Sequence, residues 1–561
     1  MKRIAFLLFC FLAMASSAHA VECFSTPTEL IKYDESKTQN GVVMFTAGRN
    51  GKGKGQNWVI NNKGEVVNEI LSRALDGYMQ MTREGFLLVN GSVPEADEAD
   101  IYQMFQAGQG NGMIELYKWG GTLKFQLEVF SVDHRQHHEV RRIWNSKLNE
   151  WTYLMLIWER LGAEDAVALG ASASYSTQYE NGWTADAIYE MNEKGEIVWR
   201  WAFVDHVVQN YDATKTAPFN DVCGRYVRGA TYGDPKLYPG KLNINFKTIV
   251  GGPQIDWNHC NSLDYNYETG HIAINSRVFS EMYIIDHDGT FVSTTDWSKN
   301  TAAAQSDDGD FLYRFGNPIT YGQATTPTGY FNAGYQQMFN GHDVQWIGNS
   351  VAYDGWEEAM GPLPGHGNML IFDNGMTNPI LNRSRIIEWN PYDADGNYVN
   401  PPDVGYNGGA IDGSPYFKTS NQVVWMYQSR LSNSFNSYYI SNTQRMPNGN
   451  TFINSGVSGH FFEVTPTGEV VWEYINPIAF DGPTTKLDDS MAIRSLNATG
   501  SENQVFKAYK YPMKHPGLKD KNMYPRGTLT GETPGSSSSG DSSGGDSGSG
   551  GGGAGGGGGG Y

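Results

Sequence analysis

The chain of 561 residues has a formal net charge of −19, 18% charged residues, 67 Gly, 32 Tyr and 15 Trp. Many glycines beside many aromatics fit a β-rich chain with numerous turns. The negative charge argues against nucleic acid or an anionic membrane surface as partner. It also repels anionic substrates, so any anion site must be locally basic.

In chain order, Met1-Lys2-Arg3, an apolar run over 4–14 and Ser16-Ser17-Ala18-His19-Ala20 have the form of a cleaved signal peptide over residues 1–20. The run is too short to span a bilayer, and no later segment is apolar enough to do so. The expectation is therefore an exported chain, periplasmic or secreted, without a membrane span. Cys23, Cys223 and Cys260 then remain; an oxidising compartment allows one pair, and the sequence selects none. No CxxC or Cys/His spacing indicates a metal site, so no metal is expected.

Self-similarity is the strongest signal in the chain. A strand, a Gly-bearing turn and a second strand recur as WVINNKGEVVNEI (58–70), IELYKWGGTLKFQLEV (114–129) and IYEMNEKGEIVWRW (188–201). They recur again as MYIIDHDGTFVSTTDW (282–297), RIIEWNPYDADGNYV (385–399) and FFEVTPTGEVVWEY (461–474). Each is preceded by a further short strand, and several by two. Four strands repeated six times predict an all-β chain, a six-bladed β-propeller. Unequal intervals between units predict long inserted rim loops, with 202–250 and 300–340 read as lying outside the blades. The expected organisation is signal peptide 1–20, propeller 21–527 and a low-complexity Ser/Gly tail 528–561, which cannot bury a core and is expected to be disordered.

There is no Walker loop, no G-x-G-x-x-G between strand and helix, no G-x-S-x-G and no H-E-x-x-H, so no cofactor is expected. Histidines, by contrast, recur at matched places in the repeat. His138, His259 and His342 each open a first strand, where successive blades converge on one channel mouth; His460 lies between the second and third strands of the last unit. Matched positions turn otherwise ordinary histidines into a candidate site.

Over most of residues 130–495 the sequence resembles the bacterial aryl-sulfate sulfotransferase family. The resemblance is carried by DWNHCNSLDYN (256–266), LYRFGNPITYG (312–322), GHDVQW (341–346), FDNG (372–375) with SRIIEW (384–389), and SGHFFEVTPTGEVVWEY (458–474). It implies a periplasmic six-bladed propeller that moves a sulfuryl group from a small aromatic sulfate donor to a phenolic acceptor. The implied route is ping-pong through a sulfohistidine, without a nucleotide sulfate donor. It also implies His460 as nucleophile, with His259 and His342 binding the sulfuryl oxygens or assisting the leaving phenolate. The sequence departs from the family after FDNG, where Met376-Thr377-Asn378 stand in place of the sulfate-binding arginine. Arg385 is taken as its replacement, with Arg383, Arg277 and Arg494 as alternatives. The first blade begins near residue 40, so the family's N-terminal β-sandwich for subunit pairing is not expected. The alternative reading is a propeller that kept the scaffold and serves as a non-catalytic binding or surface-interaction protein.

Overall fold

The repeats fold as six antiparallel sheets around one axis, a six-bladed β-propeller, in the computed structural model of the chain. The structure describes residues 26–531 apart from 51, 95–109, 173–181, 247–255, 324–334, 377–382, 407–418, 430–434, 480–481, 484–485 and 488–502. The proposed signal peptide, Cys23, Arg494 and nearly all of the Ser/Gly tail lie outside the described residues. Cys223 and Cys260 are both free, so these two are not a disulfide pair. Among the described residues no helix is long and apolar enough to cross a membrane.

From the axis outward, blade 2 runs Leu75–Met81, Phe86–Ser92, Gly112–Lys118 and Leu123–Glu128. Blade 3 runs His134–Asn145, Glu150–Leu161, Trp183–Asn192 and Ile197–Ala202. Blades 1 and 6 contain the two strands that close the ring. Ala508–Pro512 is the innermost strand of blade 1, paired with Gly41–Arg49 from Phe45↔Ala508 to Gly41↔Pro512. Glu29–Tyr33 adds a fifth, outer strand to blade 6 against Val470–Ile475. Each end of the described chain thus completes a blade begun at the other end, which ties the two ends of the ring together.

The outer-strand tryptophans of the repeat have a defined role. Trp199, Trp425 and Trp472 each donate an indole hydrogen bond into the hairpin turn of the following blade, to Thr290 Oγ1 (3.0 Å), the Pro466 carbonyl (2.9 Å) and the Asn62 carbonyl (2.8 Å). A large apolar ring fills the wedge between blades, and its one polar atom finds a fixed partner. In the hairpin turns of blades 1, 3 and 6 the glycine is required: Gly64, Gly195 and Gly468 have φ of 78°, 80° and 84°.

Blades 4 and 5 differ from the expected hairpins. In blade 4 the strand Glu281–Asp286 does not turn straight back over 291–297; the outer strand is Tyr313–Phe315. The Asn300 amide oxygen accepts from the backbone of Val292 and Ser293, diverting the chain into the helix Trp297–Ala304. Residues 300–340 are therefore only partly outside the blades. In blade 5 the strand Arg385–Trp389 pairs with Val423–Tyr427, and the NPYDADGNYV turn belongs to an insertion. The insertion after blade 3 forms a small parallel sheet around Val207–Gln209 and a two-stranded hairpin, Phe219–Asn220 with Tyr226–Val227.

A buried histidine ties blade 3 to blade 4. His287 meets the Trp199 ring edge to face with centroids 4.9 Å apart, and its Nε2 and Nδ1 lie 2.9 and 2.8 Å from carboxylate oxygens of Glu190 and Asp288. Burial alone would lower its pKa, but these carboxylates outweigh burial and raise it to about 9. A folded pKa above the unfolded value of about 6.5 stabilises fully below pH ~6.5 and stops doing so as pH rises through 9. Wild type is expected to lose on the order of 2–3 kcal/mol over that window. His287→Gln should show a flatter curve when melting temperature is followed against pH; identical curves would remove this role.

Candidate functional site

The inner strands do not run straight into the channel mouth. Blades 2, 3, 4 and 5 each skip register there, between Leu75/Tyr78, Gln136/Val140, Cys260/Ser262 and His342/Gln345. At or beside these bulges Asp76, His138, His259 and Asp343 adopt φ of 52°, 49°, 44° and 61°. A bulge re-aims the side chains around it, and left-handed backbone at non-glycine residues persists only where its surroundings hold it. At His138 the support is explicit: the Asn90 and Asn111 amides donate to its carbonyl at 3.2 and 3.1 Å.

The kinks bring His138 from blade 3, His259 and Arg277 from blade 4, and His342 from blade 5 onto one cavity of about 1220 Å³. The remaining wall supplies aromatic and aliphatic surface from Trp58, Tyr439, Ile440, Ile478, Phe506 and Leu529. The His138 and His259 rings meet edge to face at 4.8 Å. His259 Nδ1 is held by the Asp256 carboxylate. This fixes the tautomer with Nδ1–H, and its Nε2 has no hydrogen-bond partner among the described residues. His342 is engaged at both nitrogens: Nδ1 lies 2.6 Å from Asn374 Oδ1, and Nε2 accepts from the Ile440 backbone at 3.2 Å. Burial, helped by the nearby Arg277, His259 and Lys507 charges, pushes the His342 pKa well below the ordinary imidazole value.

Arg277 is the basic group of the cavity that lacks a counter-ion. Its backbone is clamped, donating to the His259 carbonyl at 3.1 Å and accepting from the Asn340 amide at 2.9 Å. Among the described residues its guanidinium forms no ion pair: Nη2 touches the Met376 sulfur at 3.1 Å, and Nε is buried without a hydrogen-bond partner. Burial lowers its pKa, with Asp256 offsetting part of the loss. A desolvated guanidinium with spare donors is built to receive an anion, with the planar fork matched to oxyanion geometry.

The other expected site residues lie elsewhere. Arg385 is not in the cavity; its Nε donates to Asp373 Oδ2 at 2.9 Å, its Nη2 contacts the same oxygen, and the pair is buried inside blade 5. FDNG therefore serves the scaffold and one histidine, since Asp373 grips Arg385 and the Phe339 N–H while Asn374 orients His342. Among the described residues Arg383 reaches only the Ser429 carbonyl, at 3.4 Å. His460 begins the third strand of blade 6, on the face of the mouth but radially outward from it, and does not line the cavity. Its Nε2 lies 2.9 Å from Glu473 Oε1, and it packs on Phe462 at 4.8 Å. Of the expected residues, the structure brings His259 and His342 together and leaves His460 and Arg385 apart. Asp256, Asn374 and the basic role of Arg277 are what sequence reasoning missed or ranked low; Asp256 could have been found three residues before His259 in DWNH.

The fold and the site define a six-bladed propeller whose channel mouth holds histidines and an unpaired arginine beside apolar wall. Residues 161–320 match the family model of the arylsulfotransferases (ASST), which supports aryl sulfotransfer as the general class of activity. No curated protein matches the chain. Among solved structures, a protein of unknown function from Bacteroides caccae aligns at 9% identity and TM-score 0.35, covering 84% of this chain and 99% of its own. A putative 6-phosphogluconolactonase from Bacteroides fragilis aligns at 8% identity and TM-score 0.34 over 85% and 99%. The periplasmic gluconolactonase of Pseudomonas aeruginosa aligns at 9% and 0.33 over 80% and 99%.

Proposed function

We propose that the cavity transfers a sulfuryl group from an aryl sulfate ester to a phenol, with His259 as the nucleophile. The observation that carries this reading is the pairing of Arg277, half-buried and without a counter-ion among the described residues, with a carboxylate-oriented His259 in the same cavity. Arg277 receives the non-bridging sulfuryl oxygens. His259 Nε2 attacks sulfur as the S–O bond to the ring breaks, and the Asp256 carboxylate stabilises the charge that develops on the imidazole. The ring lies against Trp58, Phe506 and Ile478. A second phenol then attacks sulfur, breaking the N–S bond and regenerating His259.

The experiment is release of 4-nitrophenol from 4-nitrophenyl sulfate with and without phenol as acceptor. Release that requires the acceptor is expected, and Arg277→Ala should lower it by ~10²–10³-fold, the usual loss when a donor to transition-state charge is removed. Acceptor-independent release at the same rate would make the protein a hydrolase. Full activity in Arg277→Ala would overturn the site.

A further inference from the structure

The mouth histidine His138 is the visible end of a buried chain of groups. Its Nδ1 lies 2.9 Å from Nδ1 of His137, so one proton must sit between the two rings. His137 stacks flat on Trp158, with centroids 4.2 Å apart and planes 6° apart. Its Nε2 lies 2.8 Å from Asp186 Oδ1, a close polar contact rather than an aligned hydrogen bond, and neither buried atom has a hydrogen-bond partner among the described residues. The second Asp186 oxygen accepts from the Cys260 backbone N–H at 3.1 Å, which fixes the carboxyl. His138, at the other end, faces the cavity.

We propose that Asp186, His137 and His138 form a proton relay that protonates the departing phenolate and later takes the proton back from the acceptor phenol. The inference rests on the sulfuryl-transfer reading above. In the donor half-reaction the S–O bond breaks as the His259 Nε2–S bond forms, and the phenolate oxygen takes the proton of His138 Nε2. His138 Nδ1 takes the proton of His137 Nδ1, and His137 Nε2 takes that of the Asp186 carboxyl, leaving a carboxylate. In the acceptor half-reaction the N–S bond breaks, the phenol oxygen bonds to sulfur, and its proton returns along the same path to Asp186. Nothing is consumed, and the proton given up in the first half-reaction is recovered in the second.

The resting state this requires, all three groups uncharged, agrees with their surroundings. Burial raises the Asp186 pKa well above the ordinary carboxyl value, with the neighbouring Asp256 adding to it. Burial lowers His137 to about 3 despite Asp256, with Arg135 contributing. It also holds His138 far down, reinforced by His259, His137, His342 and Lys507.

The relay matters most when the leaving group is poor, which gives the test. Transfer is measured from 4-nitrophenyl sulfate, whose phenolate leaves without help, and from phenyl sulfate, whose phenolate does not. In Asp186→Asn the phenyl sulfate rate should fall ~10²-fold or more beyond any fall for 4-nitrophenyl sulfate, the size expected when general acid help is lost. His137→Gln should do the same, and it carries the test if the asparagine variant does not fold. Equal losses on both esters, or none on either, would overturn the relay while leaving the transferase intact. No transfer by wild type from either ester would overturn the transferase reading and the relay together. Infrared difference spectra read the same point without turnover: a protonated-carboxyl band at neutral pH should vanish in Asp186→Asn, and an unchanged band overturns the proposal.

Discussion

His259→Ala is expected to abolish transfer, with a loss of at least ~10³-fold, whereas His460→Ala should stay within a few-fold of wild type. His259 offers a free Nε2 to the cavity, with Asp256 holding the opposite nitrogen. His460 gives its Nε2 to Glu473, whose pKa it lowers, and stands outside the cavity wall. A nucleophile must approach sulfur along the line of the breaking bond, and a side chain outside the pocket has no such approach. The distinction is measured in one experiment. Wild type mixed with excess 4-nitrophenyl sulfate and no acceptor should release one equivalent of nitrophenol in a burst and gain one sulfuryl group by intact mass. Both signals should disappear in His259→Ala and persist in His460→Ala. The reverse pattern would return the nucleophile to His460 and require blade 6 to rearrange.

The propeller is legible in the sequence because the hairpin motif carries its own geometry: glycine at positive φ in the turn, apolar alternation on either side, and tryptophan in the outer strand. The convergence of His138, His259 and His342 is legible too, since matched places in a radial repeat must meet. Other features lie beyond it for physical reasons. The innermost strand of blade 1, AYKYP, is short and stands far from its partner in the chain, so no local pattern announces it. The outer strands of blades 4 and 5 escape the pattern because long insertions separate them from their partners while turn-like sequences lie directly downstream. Arg385 and Arg277 are alike as letters. Only the structure distinguishes an arginine consumed by Asp373 from one left without a counter-ion.

Lys507→Met should be the most destabilising single change near the site, costing ~3–5 kcal/mol. The Lys507 ammonium is fully buried on the axis, in contact with Glu139 of blade 3 and 2.9 Å from Asp343 Oδ1 of blade 5. Tyr78 of blade 2 donates to Glu139 at 2.9 Å, and Arg141 supplies a second cation 3.5 Å from Glu139 and 3.9 Å from Asp343. Two carboxylates are thus balanced by two cations; removing one leaves a buried negative charge uncompensated, whereas removing a pair leaves neither partner stranded. Urea unfolding should therefore show Lys507→Met/Asp343→Asn recovering part of the loss. A single-variant cost under ~1 kcal/mol would mean that the belt is wetted or rearranged. The belt also explains why each of two mouth histidines is followed by an acid, His138-Glu139 and His342-Asp343. At these kinks the histidine faces the cavity and the next residue faces the axis, where its charge is tied to Lys507. The ion pairs that hold blades 1, 3 and 5 together beneath the cavity are therefore the same contacts that hold its histidines in place.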